Sequence, residues 1–227
     1  MRKVDPSPQQ GSQRFMERDL RISMRFEQAI AVASLVGLLT GCSGRAGRVE
    51  PPDVDPSQAA NLALEAYDTD RSALLSASEL EACPGLAAAR QAYDTDGDDQ
   101  ISEQEIATRI ESWYERRLAL TSLSCRVHYK GKPLAGAEVV MTPEAYLGDS
   151  VKPARGTTTA AGSGIMAVSD DDLPEEHRGI KGVHYGTYKV QITHPEVELP
   201  AKYNTETTLG HEIAHDIGKP YATFNLQ

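Results

Sequence analysis

The chain has 227 residues, of which 40% are hydrophobic and 25% charged, with 33 acidic against 23 basic side chains. That length and balance fit one or two ordinary soluble globular domains. The net charge of −10 argues against nucleic acid as a partner and suits the binding of cations.

Residues 1–23 are polar, mixed in charge and without a core pattern. From Met24 the text changes, and Ala29 to Leu39 carries almost no polar atoms. This apolar run is too short to span a bilayer as a helix and has the length of a signal-peptide core. A buried apolar helix is the alternative. The run ends in Leu39-Thr-Gly-Cys42-Ser, which resembles a bacterial lipobox, where a small residue precedes a cysteine that is lipidated and becomes the mature N-terminus. Residues 1–41 are thus expected to be an N-terminal extension with a lipoprotein signal peptide starting at Met24. The resemblance implies lipidation at Cys42 and an exported protein, lipid-anchored in the bacterial cell envelope. Residues 42–56, rich in Pro and Gly and lacking apolar periodicity, read as a flexible tether.

A helix is predicted to begin at Ser57, a good N-cap, and to run through Ala59, Ala60, Leu62, Ala63, Leu64 and Ala66. It leads into Asp68-Thr-Asp-Arg-Ser-Ala-Leu-Leu-Ser-Ala-Ser-Glu79. A second helix, from about Leu86 to Tyr93, leads into Asp94-Thr-Asp-Gly-Asp-Asp-Gln-Ile-Ser-Glu-Gln-Glu105. The second stretch sets Asp94, Asp96 and Asp98 at alternate positions, with Gln100 seventh, Ser102 ninth and Glu105 twelfth. That is the oxygen-donor order of an EF-hand calcium loop: three short carboxylates, a backbone carbonyl, a water held by a hydroxyl, and a bidentate glutamate. A solvated acidic turn is the alternative. The sixth position, normally Gly, is Asp99, one of the residue types that best tolerate a positive φ. The first stretch repeats the pattern in weakened form through Asp68, Asp70, Ser72, the Leu74 carbonyl, Ser76 and Glu79. Ser72 replaces a carboxylate there, and Ala73 must take the left-handed turn, so this site is expected to be either a weaker calcium site or purely structural.

The shared Tyr-Asp-Thr-Asp at Tyr67 and at Tyr93 marks an internal repeat, and the loops start 26 residues apart. Leu75 and Ile101 should then face each other across a two-residue bridge. The helix leaving the second loop carries Ile106, Ile110, Trp113, Tyr114 and Leu118 at helical spacing, as core rather than as a ligand platform. Cys83-Pro-Gly85 stops the first exiting helix. With Cys42 assigned to lipid, Cys83 and Cys125 are the remaining thiols. Either a disulfide between them or two buried free thiols fits an exported protein.

After residue 122 the period switches to alternation. Strands are predicted at Ser124–Tyr129, Ala137–Thr142, Gly156–Thr159, Ile165–Ser169, Thr187–Thr193, near Leu209–Ile217, and Ala222–Leu226, with a turn at Lys130–Pro133. Many short strands separated by Gly, Pro, Asn and Asp argue for a β-sandwich. Four stretches carry a resemblance: Tyr129-Lys-Gly-Lys-Pro-Leu-Ala-Gly-Ala-Glu-Val139, Gly156-Thr-Thr-Thr-Ala-Ala-Gly162, Gly186-Thr-Tyr-Lys-Val-Gln-Ile192 and Leu199-Pro-Ala-Lys-Tyr-Asn204. Together they resemble a carboxypeptidase-regulatory-like, transthyretin-like domain, common in exported lipoproteins of planctomycete-type bacteria. The resemblance implies a seven-stranded Greek-key sandwich without catalytic residues, an accessory or binding module.

His211-Glu-Ile-Ala-His215 matches HExxH. On a helix the two histidines would bind zinc with Glu212 as general base, which makes a zinc metalloprotease the alternative function. The position where a metzincin carries its third ligand is Tyr221, and no Glu follows Glu212. As a strand, His211, Ile213, His215 and Ile217 alternate, and the two imidazoles are too far apart to share one ion.

The expected whole is an α + β multidomain chain: an EF-hand pair over 57–120, then an all-β transthyretin-like sandwich over 122–227. Calcium is the expected cofactor. Another envelope protein or a surface polymer is the expected partner, with the membrane reached through the lipid anchor.

Overall fold

The structure is a computed structural model and describes residues 49–216 and 221–227. The signal-peptide stretch, Cys42 and the first part of the tether lie outside the described residues, as does Ile217. From Ala46 to Gln227 the chain forms one compact unit. Among the described residues no helix is long and apolar enough to cross a membrane.

The helical region opens with α1, Pro56–Tyr67. Its N-cap is Asp55, whose carboxylate accepts the Gln58 N–H at 2.8 Å, not Ser57 as expected. Pro56 explains the shift. A proline is favoured at the first helical position, where its missing N–H costs nothing, so the cap moves to the residue before it. A short strand β1 (Leu74–Leu75) and a single turn α2 (Ala77–Leu80) follow. Next come α3 (Pro84–Tyr93), β2 (Ile101–Ser102) and α4 (Glu103–Tyr114). β1 and β2 pair antiparallel with Leu75 opposite Ile101, both fully buried, as the repeat predicted. Ile106, Ile110 and Trp113 are fully buried along α4. Leu118 is not part of that face: the helix ends at Tyr114, and Leu118 is exposed.

The rest is strand: β3 (Leu123–Tyr129), β4 (Lys132–Pro133), β5 (Glu138–Pro143), β6 (Ala154–Thr157), β7 (Ser163–Val168), β8 (Gly186–Thr193), β9 (Gly210–Ile213) and β10 (Tyr221–Leu226). They form one eight-stranded sheet in the order β10-β3-β7-β6-β5-β8-β9, with β4 beside β3. The pairings are antiparallel except β10 with β3, which run parallel. The sheet is a large curled one. β7 makes the curl, giving its first four residues (Ser163–Met166) to β3 and its last two (Ala167–Val168) to β6. The curl brings the two edges together, since His211 on β9 and Phe224 on β10 have ring centroids 6.3 Å apart. Helices plus a large curled sheet make this an α+β fold.

Helices and sheet share one apolar core that includes Trp113, Tyr93, Leu86, Tyr188, Met141 and Ile192. α3 docks end-on. A Cβ built on Gly210 of β9 would lie 1.7 Å from the Pro84 carbonyl oxygen, so backbone meets backbone there. The α3 N-terminus is further held by Glu144, whose buried carboxylate accepts the Gly85 N–H at 2.7 Å. Burial pushes the Glu144 carboxyl above its ordinary value, against the opposing pull of the Gly85 N–H and Lys189. A negative group at a helix N-terminus is favourably placed.

Candidate metal centre

Each loop is built by the same backbone device. The fourth and sixth positions take a positive φ: Arg71 (61°) and Ala73 (65°) in the first loop, Gly97 (78°) and Asp99 (66°) in the second. Glycine fills one of these four positions, and Ala73 lacks the side-chain chemistry that eases such a conformation, so the two copies share the fold of the turn while the first carries more of its strain. The turns aim N–H groups inward. Asp94 accepts from Gly97 N–H (2.7 Å) and Asp99 N–H (3.1 Å); Asp68 accepts from Ser72 N–H (3.1 Å) and Ala73 N–H (2.9 Å). Asp98 N–H donates to Asp96 at 3.2 Å, as Ser72 N–H donates to Asp70 at 2.9 Å.

The closing glutamates match as well. Glu105 accepts from Thr95 N–H (2.8 Å) and Ser102 N–H (2.9 Å), and Glu79 from Thr69 N–H (2.7 Å) and Ser76 N–H (2.9 Å). Ser76 and Ser102 are the N-caps of the helices that follow, each in a reciprocal pair with its glutamate. Hydrogen bonds from Ser76, then from Thr69, hold the Glu79 carboxyl down at about 2 despite its burial. Burial raises Glu105, and hydrogen bonds from Ser102 and Thr95 outweigh it, leaving that carboxyl below its ordinary value. Both glutamates are therefore carboxylates throughout the physiological range.

Among the described residues, groups of three metal-donor side chains converge at Asp94, Asp96 and Asp98 and at Asp68, Asp70 and Glu79. The donor oxygens in each group lie within 4.8 Å of one another. Two oxygens bound at about 2.4 Å to one cation can be at most about 4.8 Å apart, so each group is close enough to share one ion. Carboxylates this close repel one another unless a cation sits among them. The donors are all hard oxygens, which suits calcium or magnesium and not zinc or copper. In the first loop Ser72 contributes a hydroxyl, which donates to the Leu74 carbonyl at 3.0 Å, occupying one expected donor with another. In the second loop Glu105 is bonded to residue Thr95, between Asp94 and Asp96, outside the group of three. The Gln100 N–H donates to Asp98 at 2.8 Å.

HExxH lies on no helix. His211 and Glu212 are on β9, and the strand stops at Ile213, short of the predicted Ile217. His215 sits in the turn beyond it. Glu212 is buried and already engaged: Arg109 of α4 forks onto it at 2.7 and 2.9 Å, and the Trp113 indole N–H donates to it at 3.0 Å. The same Arg109 grips Asp216 at 2.7 and 3.0 Å. Both oxygens of this carboxylate are therefore already committed to Arg109 and Trp113. Sequence reasoning missed this cluster, and no local pattern announces it, because Arg109 and Glu212 lie 103 positions apart.

Cys83 and Cys125 are both buried free thiols, which corrects the disulfide alternative. They belong to different surroundings. Cys83 is the N-cap of α3, its thiol pushed up to about 12 by burial and then by the charge of Glu144. Cys125 is on β3, its sulfur beside Gly164 of β7.

His211 carries a pH prediction. Burial pushes its imidazole from the ordinary 6.5 down to about 4. The unfolded chain then binds the proton first, so the folded state loses stability as pH falls from about 6.5 towards 4. The loss is at most about 1.4 kcal/mol per pH unit in that window. His211→Leu keeps the contact with Phe224 and removes the titration. In thermal melts the native chain should therefore lose ground to the variant as pH falls from 7 to 4.5; parallel pH profiles would refute the assignment.

No family model, no curated protein and no solved structure matches this chain.

Proposed function

We propose that this protein is a calcium-binding module of the bacterial cell envelope, anchored by lipid at Cys42 and without catalytic activity of its own. Its helical region is read as an EF-hand pair, with Asp94, Asp96, Asp98, Gln100, Ser102 and Glu105 as the main site. Asp68, Asp70, Ser72, Leu74, Ser76 and Glu79 form the weaker one. Its sheet is read as a transthyretin-like Greek-key module that contacts another envelope protein or a surface polymer. The observation that carries the calcium reading is the repetition: two loops 26 residues apart converge carboxylate oxygens within 4.8 Å through matching hydrogen bonds and matching positive-φ positions. Chance acidic turns do not repeat left-handed residues in register. The occupied state of Glu212 favours this reading over the metalloprotease.

Calorimetric titration of the Ala46–Gln227 unit with calcium tests it. One exothermic or endothermic event saturating near one ion per chain is expected, with a weaker second event from the first loop. Absence of any calcium-dependent heat, or tight retention of one zinc per chain through dialysis, would overturn it.

A further inference from the structure

We infer that β9 braces both helices around the second loop, so that Arg109 and Glu212 act as positioning residues for the calcium site. The inference rests on the calcium reading above and adds what sets the geometry of that site.

The second loop joins α3 to α4, and each helix is tied to the same short strand. α3 is tied by contact: the Pro84–Gly85 backbone presses on Gly210 so closely that no Cβ fits between them. α4 is tied by charge. Arg109 is one helical turn beyond Glu105, the loop's closing donor, so whatever fixes the one fixes the other. Among the described residues, the hydrogen bonds from α4 to the sheet side all end on Glu212 and on Asp216, three residues past the end of β9. The guanidinium serves both carboxylates by paired bonds, a geometry that fixes direction as well as distance. The Arg109 side chain is 10% exposed and that of Glu212 2%, so solvent does not loosen the pair.

The Arg90–Asp99 pair joins α3 to the loop as well, but Asp99 is 80% exposed and such a pair contributes little. Among the described residues the first loop has no comparable brace: its exit helix α2 has four residues and packs on α3.

A buried ion pair adds little net stability compared with apolar packing of the same volume, so stability alone does not account for this one. What it does supply is a fixed angle between α3 and α4. Ordering the loop around an ion is then largely complete before the ion arrives, and preorganisation of this kind appears as affinity. Linkage makes the effect reciprocal: calcium at Asp94–Glu105 must tighten the attachment of β9.

The test combines two measurements on the full chain. Calcium is titrated calorimetrically and by emission of Trp113, the single tryptophan, whose indole is bonded to Glu212. Amide hydrogen exchange is followed over 210–213 with and without calcium. Glu212→Gln is the variant, because the amide keeps the shape and still accepts from Trp113. Expected are a calcium affinity about tenfold weaker in the variant and slower β9 exchange on adding calcium to the native chain. Calcium binding with an unchanged affinity in the variant, or with β9 exchange insensitive to calcium, overturns the brace and leaves the calcium reading standing. No calcium binding at all overturns both. If Glu212→Gln does not fold, exchange in the native chain decides by itself.

Discussion

Glu105→Gln is expected to weaken calcium binding at the second loop roughly 100-fold, equivalent to about 2.7 kcal/mol. The change removes one of four carboxylates, the one at the twelfth position, where the loop pattern calls for a donor of two oxygens. Without calcium the effect should be small. Gln can still accept one of the two N–H bonds from Thr95 and Ser102, so the loss is that of part of a cap, about 1 kcal/mol. Affinity and stability thus separate in this variant, and calorimetry alongside thermal melting in a chelator measures both. Glu79→Gln should affect only the weaker event. If Glu105→Gln binds calcium as tightly as the native chain, the ligand set assigned here is wrong.

The loops were legible because their chemistry is local. The carboxylates bond to N–H groups within their own twelve residues, and the Tyr-Asp-Thr-Asp repeat is what sets the apolar eighth positions Leu75 and Ile101 opposite each other. The strands were legible too, since alternation from Ser124 to Leu226 marked seven of them to within a few residues. What alternation could not supply was the order of the sheet, the parallel pairing of β10 with β3, or the division of β7 between two neighbours. Those follow from non-local packing. The HExxH stretch shows the same limit in miniature. Its period suggested a strand through Ile217, but Asp216 is drawn off by Arg109, and β9 ends at Ile213. Arg109 stands at helical spacing between Ile106 and Trp113, beside the buried face of α4, but nothing local names the carboxylates it meets. Its role comes from residues a hundred positions away, on a strand that the chain had not yet reached. Leu118 failed for a simpler reason, because helical spacing continued past the point where the backbone left the helix at Tyr114.

Gly210→Ala is expected to be the most damaging single methyl in the protein. The added Cβ would lie 1.7 Å from the Pro84 oxygen, 2.1 Å from its carbon and 2.6 Å from the Gly85 nitrogen. All three atoms are backbone, so no side chain can rotate away. α3 must lift or β9 must shift, and either movement strains the bond from Gly85 N–H to buried Glu144. Overpacking commonly costs 1–3 kcal/mol, and with rigid atoms on both sides the cost should reach about 3 kcal/mol. For a chain of this size that is a fall in Tm of roughly 6–12 °C. The position also separates two consequences of one contact. Lifting α3 moves Asp94, the first residue of the second loop, so calcium affinity should fall together with stability. A variant that melts like the native chain would show that α3 is not seated on Gly210. One that melts early yet binds calcium normally would show that the seat of α3 is independent of the loop it leads into.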